Sequence, residues 1–527
     1  MLPALPVVMT NPVFVKLLHY FERKYNKYAK RIPTNALISN LMGNYERAFG
    51  SYEQTGVPPE TLSTHLGEPP SVQKALYFGI EKSLLLSKPW PIQWIVLKWQ
   101  KLKQKLGIYG ETQLIRDYKA AEICLTQMVE EAESSDQIHG IYKSHTTLLL
   151  REPRDPNEPR EKFLKTEIDK SLLLSMKQVG DPKIENAKKK VLFNGKDLPA
   201  QYNTRKIAFD KMFKEKIGAD FDEVRTILMA FNHERPFILR EHMVINKISE
   251  QFGFSKEVVK RVVEGLVISK AKLLKGGAPV WKLTRQKNRI TRKPIARMRL
   301  WDSYNYLGWS PVMLREILNH FSELMIYGEL PDEWLIDDEI KTEAEKLSLE
   351  VSTWFENEFI RLMSERGFFG REIKKDKIIG NGNAVIKYPR GQIDFLGFNS
   401  DLQLLVVAEC KLVKWSADAG DENGDYREFI RDYDKPHQKT HFDKLVSKYE
   451  WVCANLTGLM PALKKEYPEI SYRNSIRVAS LMITYHPMRI SVFADIIPLR
   501  SIVRFIEDFD EKRDWPYNFG IKEIKLM

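Results

Sequence analysis

The sequence feature that most constrains the fold is the apolar run Leu404–Ala408, which leads directly into Glu409-Cys410-Lys411. An unbroken apolar run of this length, ending in charged residues, is typical of a strand that is buried on both faces of a sheet. Side chains two positions apart on a strand share a face, so Glu409 and Lys411 point to one side and Cys410 to the other. The run therefore predicts a central strand that presents a carboxylate and an ammonium group together.

A second carboxylate is predicted to lie beside Glu409. Gln392–Phe398 reads as a strand, Leu402–Lys411 as the next, and Asn399-Ser400-Asp401 as the turn between them. Such a hairpin brings Asp394 next to Glu409. Two adjacent carboxylates repel each other unless a cation joins them, and oxygen ligands suit Mg²⁺ or Mn²⁺. The hairpin therefore predicts a metal site.

The surrounding pattern predicts a C-terminal α/β domain with a mixed sheet over residues 346–527. Its remaining predicted elements are helices at Ser352–Arg366 and Gln438–Asn455 and strands at Ala384–Tyr388, Ile476–Tyr485 and Ile490–Asp495. Between them, the acidic segment Trp415–Asp434 is interpreted as a solvated loop, and His437 and His441 as surface residues.

These residues resemble the motif of the PD-(D/E)XK nuclease superfamily, which has the restriction-endonuclease-like fold. The resemblance lies in Gln392-Ile393-Asp394, followed after fourteen residues by Glu409-Cys410-Lys411. Glu356, separated by ten residues from Gly367-Phe368, is similar to the first helix of archaeal Holliday-junction resolvases. The resemblance covers about residues 346–500. In the strand before Glu409, Ile393 stands where many members have proline.

The resemblance implies a role for each matching residue. Asp394 and Glu409 would be the principal ligands of Mg²⁺ or Mn²⁺, Glu356 an accessory ligand, and Lys411 the catalytic lysine, while the carbonyl of Cys410 would also face the metal. Glu358 is the alternative to Glu356. Gln438 is followed four positions later by Phe442, whereas the helicase-associated exonuclease branch carries Gln-x-x-x-Tyr. Gln438 and Lys439 are candidate phosphate contacts, and an exposed helix start is the other interpretation.

Residues 216–290 are interpreted as a winged-helix module or as a small helical subdomain with no nucleic-acid role. The predicted elements are helices at Phe221–Asn232, Arg240–Phe252 and Lys256–Lys270 and strands at Ala271–Leu274 and Pro279–Thr284. As a winged helix, the module would face phosphates with Lys256, Lys260 and Arg261 and would carry Lys275 on its wing.

Basic residues are concentrated after this module. Lys282 to Arg299 holds eight Lys or Arg and no acidic residue, which predicts either a phosphate-binding track or a solvated linker. The whole chain has 82 basic and 70 acidic residues, a net charge of +12, which favours polyanionic partners. Three cysteines without zinc spacing, no secretory signal and no apolar membrane segment predict an intracellular, cytoplasmic protein.

The predicted organisation is multi-domain, α followed by α/β. It comprises a helical region (1–215), the winged-helix candidate (216–290), a basic linker with helices (291–345) and the nuclease domain (346–527). The predicted function is a Mg²⁺- or Mn²⁺-dependent DNA endonuclease, in transposition or phage defence, acting as a homodimer or with a partner protein; RNA is a second substrate class. The alternatives are an inactive nuclease fold that binds nucleic acid or regulates, and a scaffold protein.

Overall fold

The structure is a computed structural model that describes the chain in segments. These are residues 19–46 (except 33), 69–87, 120–124 (except 122), 166, 170, 200–233, 238–275, 288–319 (except 301 and 303), 330–374, 391–413, 425–430 (except 426), 438–490 (except 489), 496–512 and 522–525. The chain divides into two compact units. Unit 1 comprises residues 1–148, 176–186 and 200–348, and unit 2 comprises residues 149–175, 187–199 and 349–527. The predicted start of the nuclease domain, residue 346, lies close to the start of the last segment of unit 2.

Four helices in the first part of unit 1 pack through buried apolar side chains. They are α1 (Thr34–Tyr45), α2 (Pro69–Leu86), α3 (Ala200–Ile217) and α4 (Phe221–Met229). The hydroxyl groups of Tyr45 and Tyr77 lie 2.7 Å apart and join α1 to α2. The Asp220 side chain caps α4 by accepting a hydrogen bond from the backbone N–H of Glu223, whose carboxylate accepts one from Asp220 in return. Helices α1, α2 and α3 confirm the helical character predicted for these parts of the N-terminal region, and α4 confirms the helix predicted at Phe221–Asn232, although it ends at Met229.

The second part of unit 1 combines helices with a small sheet. Its elements are β1 (Ile238–Arg240), α5 (Glu241–Phe252), α6 (Lys256–Gly265), β2 (Val267–Ser269), α7 (Lys270–Lys275), β3 (Ile295–Arg299), β4 (Asn305–Gly308) and α8 (Pro311–Asn319). The sheet order is β1–β4–β3–β2, with β3 and β4 antiparallel. Gly253 ends α5 in the left-handed conformation, and the Ser255 side chain caps α6, as the sequence predicts.

The strand predicted at Ala271–Leu274 is wrong, because this segment forms helix α7. Its alanine, leucines and lysines are all good helix formers, and Leu273 packs inward. Lys275 is therefore the last residue of a helix and not part of a strand. The predicted strand Pro279–Thr284 lies outside the described residues. Within the described residues, β3 and β4 form a hairpin, so Ile295–Arg299 and Asn305–Gly308, interpreted as linker, are strands in one sheet with β1.

Unit 2 contains a six-stranded mixed sheet, as predicted. Its strands are β5 (Phe368–Ile373), β6 (Ile393–Asn399), β7 (Leu404–Lys411), β8 (Ser475–Thr484), β9 (Ile496–Pro498) and β10 (Lys522–Lys525). The order is β10–β8–β7–β6–β5, and β9 also pairs with β8. Strands β5, β6 and β7 are antiparallel, whereas β7 and β8 are parallel, with Glu409 opposite Met482.

Helices cover both faces of this sheet. They are α9 (Asp338–Glu365), α10 (His441–Ala454), α11 (Leu456–Glu466) and α12 (Ile502–Lys512). On one face, Phe355 and Phe359 of α9 pack with Val406 and Ala408 of β7. On the other, Leu445 of α10 packs with Leu405 and Val407. Alternate residues of β7 thus belong to opposite cores, as expected for a central strand.

Glycine permits a close approach of β5 to β6. A Cβ atom on Gly370 would lie 2.2 Å from the Cα of its partner Gly397, so no larger residue fits at this position. This approach holds β5 against the strand that carries Asp394.

The sequence predicted strands β6, β7 and β8 with small differences at their ends, and it missed β5 and the start of α9. Helix α10 begins at His441, later than predicted, because Thr440 is its N-cap and forms a capping box with Asp443. The predicted strand Ala384–Tyr388 lies outside the described residues, as does 491–495; the neighbouring strand β9 begins at Ile496. Among the described residues, none of the helices is long and apolar enough to cross a membrane.

Candidate active site

The β6–β7 hairpin brings the two predicted ligands together. Phe395 pairs with Ala408, so Asp394 and Glu409 lie side by side where the hairpin opens. Asp394 Oδ2 accepts a hydrogen bond of 2.7 Å from the backbone N–H of Cys410, and Oδ1 accepts one of 3.2 Å from Gln392 Nε2. Both carboxylates are buried. The juxtaposition of Asp394 and Glu409 predicted from the sequence is therefore present.

Two lysines neutralise Glu409. Lys411 Nζ lies 2.6 Å from Glu409 Oε1, and Lys448 Nζ bonds Oε2. Burial alone would raise the pKa of Glu409, but the charges of Lys411 and Lys448 outweigh burial and lower it. Asp394 lacks such a pair, so burial and the charge of Glu409 raise its pKa. The two carboxylates thus have unequal electrostatic environments.

Glu356 belongs to the same cluster. Burial, followed by the charges of Asp394 and Glu372, raises the pKa of Glu356 to about 7. The alternative, Glu358, forms an ion pair of 2.6 Å with Arg361 on its own helix. Of these two glutamates, Glu356 is therefore the one whose charge interacts with those of Asp394 and Glu409. Glu372 of β5, which the sequence analysis did not consider, adds a further nearby negative charge.

Cys410 packs away from this cluster. Its side chain is buried in the core that includes Phe355 and Ile483, and burial raises the pKa of its thiol well above the usual value. The prediction that Cys410 points into packing is thus confirmed. The backbone N–H of Cys410 donates a hydrogen bond to Asp394. That the backbone carbonyl of Cys410 faces a metal stays a prediction.

Sequence analysis missed Lys448. This residue lies on α10 in the buried stripe formed with Phe442, Leu445 and Val452. A lysine at helical spacing within an apolar stripe is the signal that could have found it, because a buried ammonium group needs an anionic partner. Only the packing of α10 against β7 shows that this partner is Glu409.

His441 also differs from its prediction as a surface residue. Its ring packs edge-on against Phe429 with centroids 4.8 Å apart. Burial and the neighbouring charge of Lys411 lower the pKa of His441 to about 4. Phe429 itself is fully buried, as is Asp425, so these parts of the acidic segment are not a solvated loop. His437 lies outside the described residues.

The donor chemistry of the cluster fits a hard divalent cation. Asp394, Glu409 and Glu356 supply carboxylate oxygens, the ligand type that Mg²⁺ and Mn²⁺ prefer. The carboxylates already face other partners, however. Asp394 accepts from Cys410 and Gln392, and Glu409 from two lysines. Within the described part of the chain, no three His, Cys, Asp or Glu side chains are arranged closely enough to hold a metal ion.

Comparison with protein-family models, with curated proteins and with solved structures found no match. The resemblance to the PD-(D/E)XK superfamily therefore stays a prediction that rests on the residues of this chain.

The predicted nucleic-acid contacts have different environments. Lys256 and Lys260 are exposed on α6, and Gln438 and Lys439 are exposed ahead of α10. Arg261 is not available in the same way, because its guanidinium donates to the carbonyl oxygens of Lys216 (2.9 Å) and Ile217 (3.2 Å). It satisfies carbonyls at the C-terminal end of α3, which otherwise lack helix partners.

The described part of the basic run is neither a linker nor a free phosphate track. Arg289 forms a buried ion pair of 2.9 Å with Glu81, and Lys293 pairs with Glu333. Arg297 Nη2 lies 2.5 Å from Glu241 and 2.6 Å from Glu264. The acidic partners are distant in sequence, so the composition of the run alone did not reveal them.

Proposed function

We propose that this chain is a metal-dependent DNA endonuclease whose active site lies on the β6–β7 hairpin of unit 2. The observation that carries the proposal is the pairing of two buried carboxylates, Asp394 and Glu409, with Lys411 on the same strand face and Glu356 nearby. Buried acidic clusters are costly to a fold, and their electrostatic perturbation favours a functional role.

Asp394 and Glu409 would hold Mg²⁺ or Mn²⁺, with Glu356 and the carbonyl of Cys410 as further ligands. When bound, the cation would polarise the scissile phosphodiester and help to ionise the attacking water. The hydrogen bond from the Cys410 N–H orients Asp394, so the strand backbone itself fixes one ligand. Gln392 holds the other oxygen of the same carboxylate.

Lys411 would stabilise the charge that develops on the phosphate. Burial alone would lower its pKa, but the charges of Glu409 and Asp394 outweigh burial and raise it. Lys411 therefore stays an ammonium ion at neutral pH. A fixed positive charge beside the pentavalent phosphorus stabilises the transition state more than the ground state. In this role Lys411 acts as an electrostatic group and not as a general base.

Unit 1 would recruit the DNA. Helix α4, strand β1, helices α5 and α6 and the hairpin β3–β4 follow one another in the order of a winged helix, with β2 and α7 inserted before the hairpin. Lys256 and Lys260 are exposed on the second helix of the pair. Near the hairpin turn, the guanidinium of Arg240 stacks on exposed Tyr304 at 4.7 Å. Lys256 and Lys260 suit phosphate contact, and the exposed ring of Tyr304 suits base stacking, whereas Arg240 is already paired with Asp302 at 3.1 Å.

The alternative is an inactive nuclease fold that binds nucleic acid without cutting it. The observation in its favour is that Lys411 and Lys448 occupy both oxygens of Glu409. A protein in which these ion pairs are permanent would keep the fold and lose the metal.

A cleavage panel separates the two functions. Wild-type protein is incubated with duplex, single-stranded and branched DNA and with RNA, in Mg²⁺, Mn²⁺ or EDTA. The endonuclease proposal requires cleavage of closed circular DNA that depends on the cation and is absent in Glu409→Ala and Lys411→Ala. DNA binding without cleavage in every arm would favour the inactive fold. A role in transposition or phage defence is proposed because recruiting and cutting fall in separate units.

A further inference from the structure

We propose that Lys448 is an exchangeable counter-ion, which leaves Glu409 when a divalent cation binds and then holds a substrate phosphate. This inference rests on the proposed function and adds a residue that couples the metal to the substrate. Lys448 would be a substrate-binding residue, because its ammonium group contacts the phosphate after the exchange.

The first observation is that each carboxylate oxygen of Glu409 already bonds an ammonium group. Lys411 holds Oε1 and Lys448 holds Oε2. A cation on Glu409 would bring two positive charges beside two ammonium groups that already neutralise this carboxylate. Like charges at such distances repel strongly in a buried site. Metal entry therefore favours displacement of one ammonium group.

The second observation is that the two lysines have different access to water. The Lys411 side chain is 26% exposed, whereas that of Lys448 is 8% exposed. Lys411 is the group that the proposed reaction keeps beside the phosphate, so Lys448 is the one that exchanges. A displaced Lys448 stays within the protein, and an unpaired buried ammonium ion is costly. Lys448 consequently needs a new anion, and the phosphate of a bound nucleic acid is the anion that the proposed reaction brings to this place.

The third observation is that α10 holds Lys448 in place. The capping box of Thr440 and Asp443 sets the start of the helix, and Leu445 and Val452 fix its buried face on β7 and β8. The ammonium group can therefore move only as far as its own flexible stem allows. Such a short exchange fits the passage from a carboxylate oxygen to a neighbouring phosphate oxygen.

This arrangement makes metal and substrate binding reinforce each other. The metal frees Lys448 for the phosphate, and the phosphate compensates the charge that the metal adds. By thermodynamic linkage, each ligand then tightens the other by the same factor.

The test measures Mn²⁺ binding directly, by calorimetry and by electron paramagnetic resonance, on the full chain without nucleic acid. Lys448→Met removes the competing ammonium group, so its Mn²⁺ affinity should rise roughly tenfold, a change within the range seen for residues around metal sites. Lys444→Met is the matched control, since Lys444 is an exposed lysine on the same helix. Its Mn²⁺ affinity should equal that of wild type.

The second measurement is the binding of a duplex with non-cleavable phosphorothioate linkages, with and without Mn²⁺. Mn²⁺ should tighten binding to wild type and to Lys444→Met, and this gain should be lost in Lys448→Met. Should Lys448→Met fail to fold, Lys448→Gln, which keeps a hydrogen-bond donor without the charge, gives the same comparison.

Unchanged or weaker Mn²⁺ affinity in the folded Lys448 variants overturns the exchange. Asp394→Asn and Glu409→Gln separate this failure from that of the proposed function. If both variants bind Mn²⁺ as wild type does, the metal site itself is wrong. If both lose Mn²⁺ while Lys448→Met binds like wild type, the metal site stands and only the exchange is refuted.

Discussion

The carboxylate of Asp394 accepts a hydrogen bond of 2.7 Å from the backbone N–H of Cys410, on the neighbouring strand. The donor is a backbone N–H group, so only a substitution of Cys410 by proline would remove it. The bond therefore fixes the Asp394 side chain whatever other residue stands at position 410. It also separates the structural role of Asp394 from its charge, because an amide oxygen can accept the same bond.

Asp394→Asn should therefore keep the fold and lose the activity. The Asn oxygen still accepts from Cys410, while the charge needed to bind a cation is gone. We expect cleavage to fall by about 100-fold or more, the upper end of losses for groups around metal sites. Circular dichroism melts test whether the fold is kept, and initial cleavage rates in Mg²⁺ test whether the activity is lost. A variant that cleaves normally would remove Asp394 from the active site.

The two glutamates of α9 give a matched pair. Glu356→Gln should lower cleavage and Mn²⁺ affinity, because Glu356 lies close enough to Asp394 for their charges to interact. Glu358→Gln breaks only a surface pair with Arg361, worth about 0.3–0.5 kcal/mol at this helical spacing. Its cleavage rate should match that of wild type. The opposite result would mean that α9 presents its other glutamate to the substrate.

Lys256 and Lys260 should contribute to DNA affinity through phosphate contacts. Replacing both by Ala should weaken binding and reduce the slope of log K against log salt by about 0.9 for each lost contact. Lys211→Ala, an exposed lysine of α3, is the control. Fluorescence anisotropy over a salt series measures both slopes. Equal slopes for the double variant and wild type would show that α6 does not face the phosphates.

The stability of unit 2 should fall in mild acid because of His486. Burial and the charge of Arg500 lower the pKa of this histidine to about 3. In the unfolded chain this histidine has its ordinary pKa near 6.5. Between pH 6.5 and 3 the unfolded chain therefore binds a proton at His486 that the folded chain does not bind. The stabilisation that comes from neutral His486 is present above pH 6.5 and is lost as the pH falls from 6.5 towards 3. Over this range the free energy of unfolding falls by at most about 1.4 kcal/mol per pH unit because of this group.

Denaturant melts between pH 7 and pH 4 check this slope. His486→Gln cannot be protonated, so it should flatten the pH dependence even where the substitution itself lowers stability. Parallel slopes for the variant and wild type would assign the acid sensitivity to other groups.

The ion pair of Glu81 and Arg289 should be strongly coupled. Both side chains are almost fully buried, at 2% and 5% exposure. Glu81→Gln removes a negative charge that lies 2.9 Å from a buried guanidinium, which should cost about 3 kcal/mol. Replacing both residues by Met should recover part of this loss. The recovery is incomplete because Glu81 also accepts from the Ile290 N–H. A double-mutant cycle in urea measures the coupling, and additive losses would contradict it.

The sequence predicted the hairpin and its acidic pair because these depend on local information. The apolar run Leu404–Ala408 identifies a buried strand, and the length of the turn sets its pairing with β6. The helices on either side of Gly253 were predicted for the same reason, although the second ends at Gly265 and not at Lys270, because Val267–Ser269 is a strand. The positions of Asp394 and Glu409 followed directly.

Features that depend on contacts between distant segments were not readable. Lys448 is 39 residues from Glu409, and Arg289 is 208 residues from Glu81. Neither pairing changes the spacing of apolar residues along the sequence, so the pattern could not predict it. Helix α7 was mistaken for a strand because a short apolar segment fits both structures, and its lysine contacts with Glu264 and Glu333 decide for the helix.

The pairing of β7 with β8 has a consequence for how the chain tolerates insertions and deletions. Every residue of β7 has a defined partner on β8, from Leu404 opposite Arg477 to Lys411 opposite Thr484. The two faces of β7 carry different side chains. One face has the charged side chains of Glu409 and Lys411, and the other has the Cys410 thiol and its aliphatic neighbours. A shift of the β7 register by one position would move each set of side chains to the opposite face of the sheet. One residue gained or lost in the turn before Leu404 would then present Cys410 in place of Glu409, so the length of that turn matters as much to the chemistry as the identity of the acids.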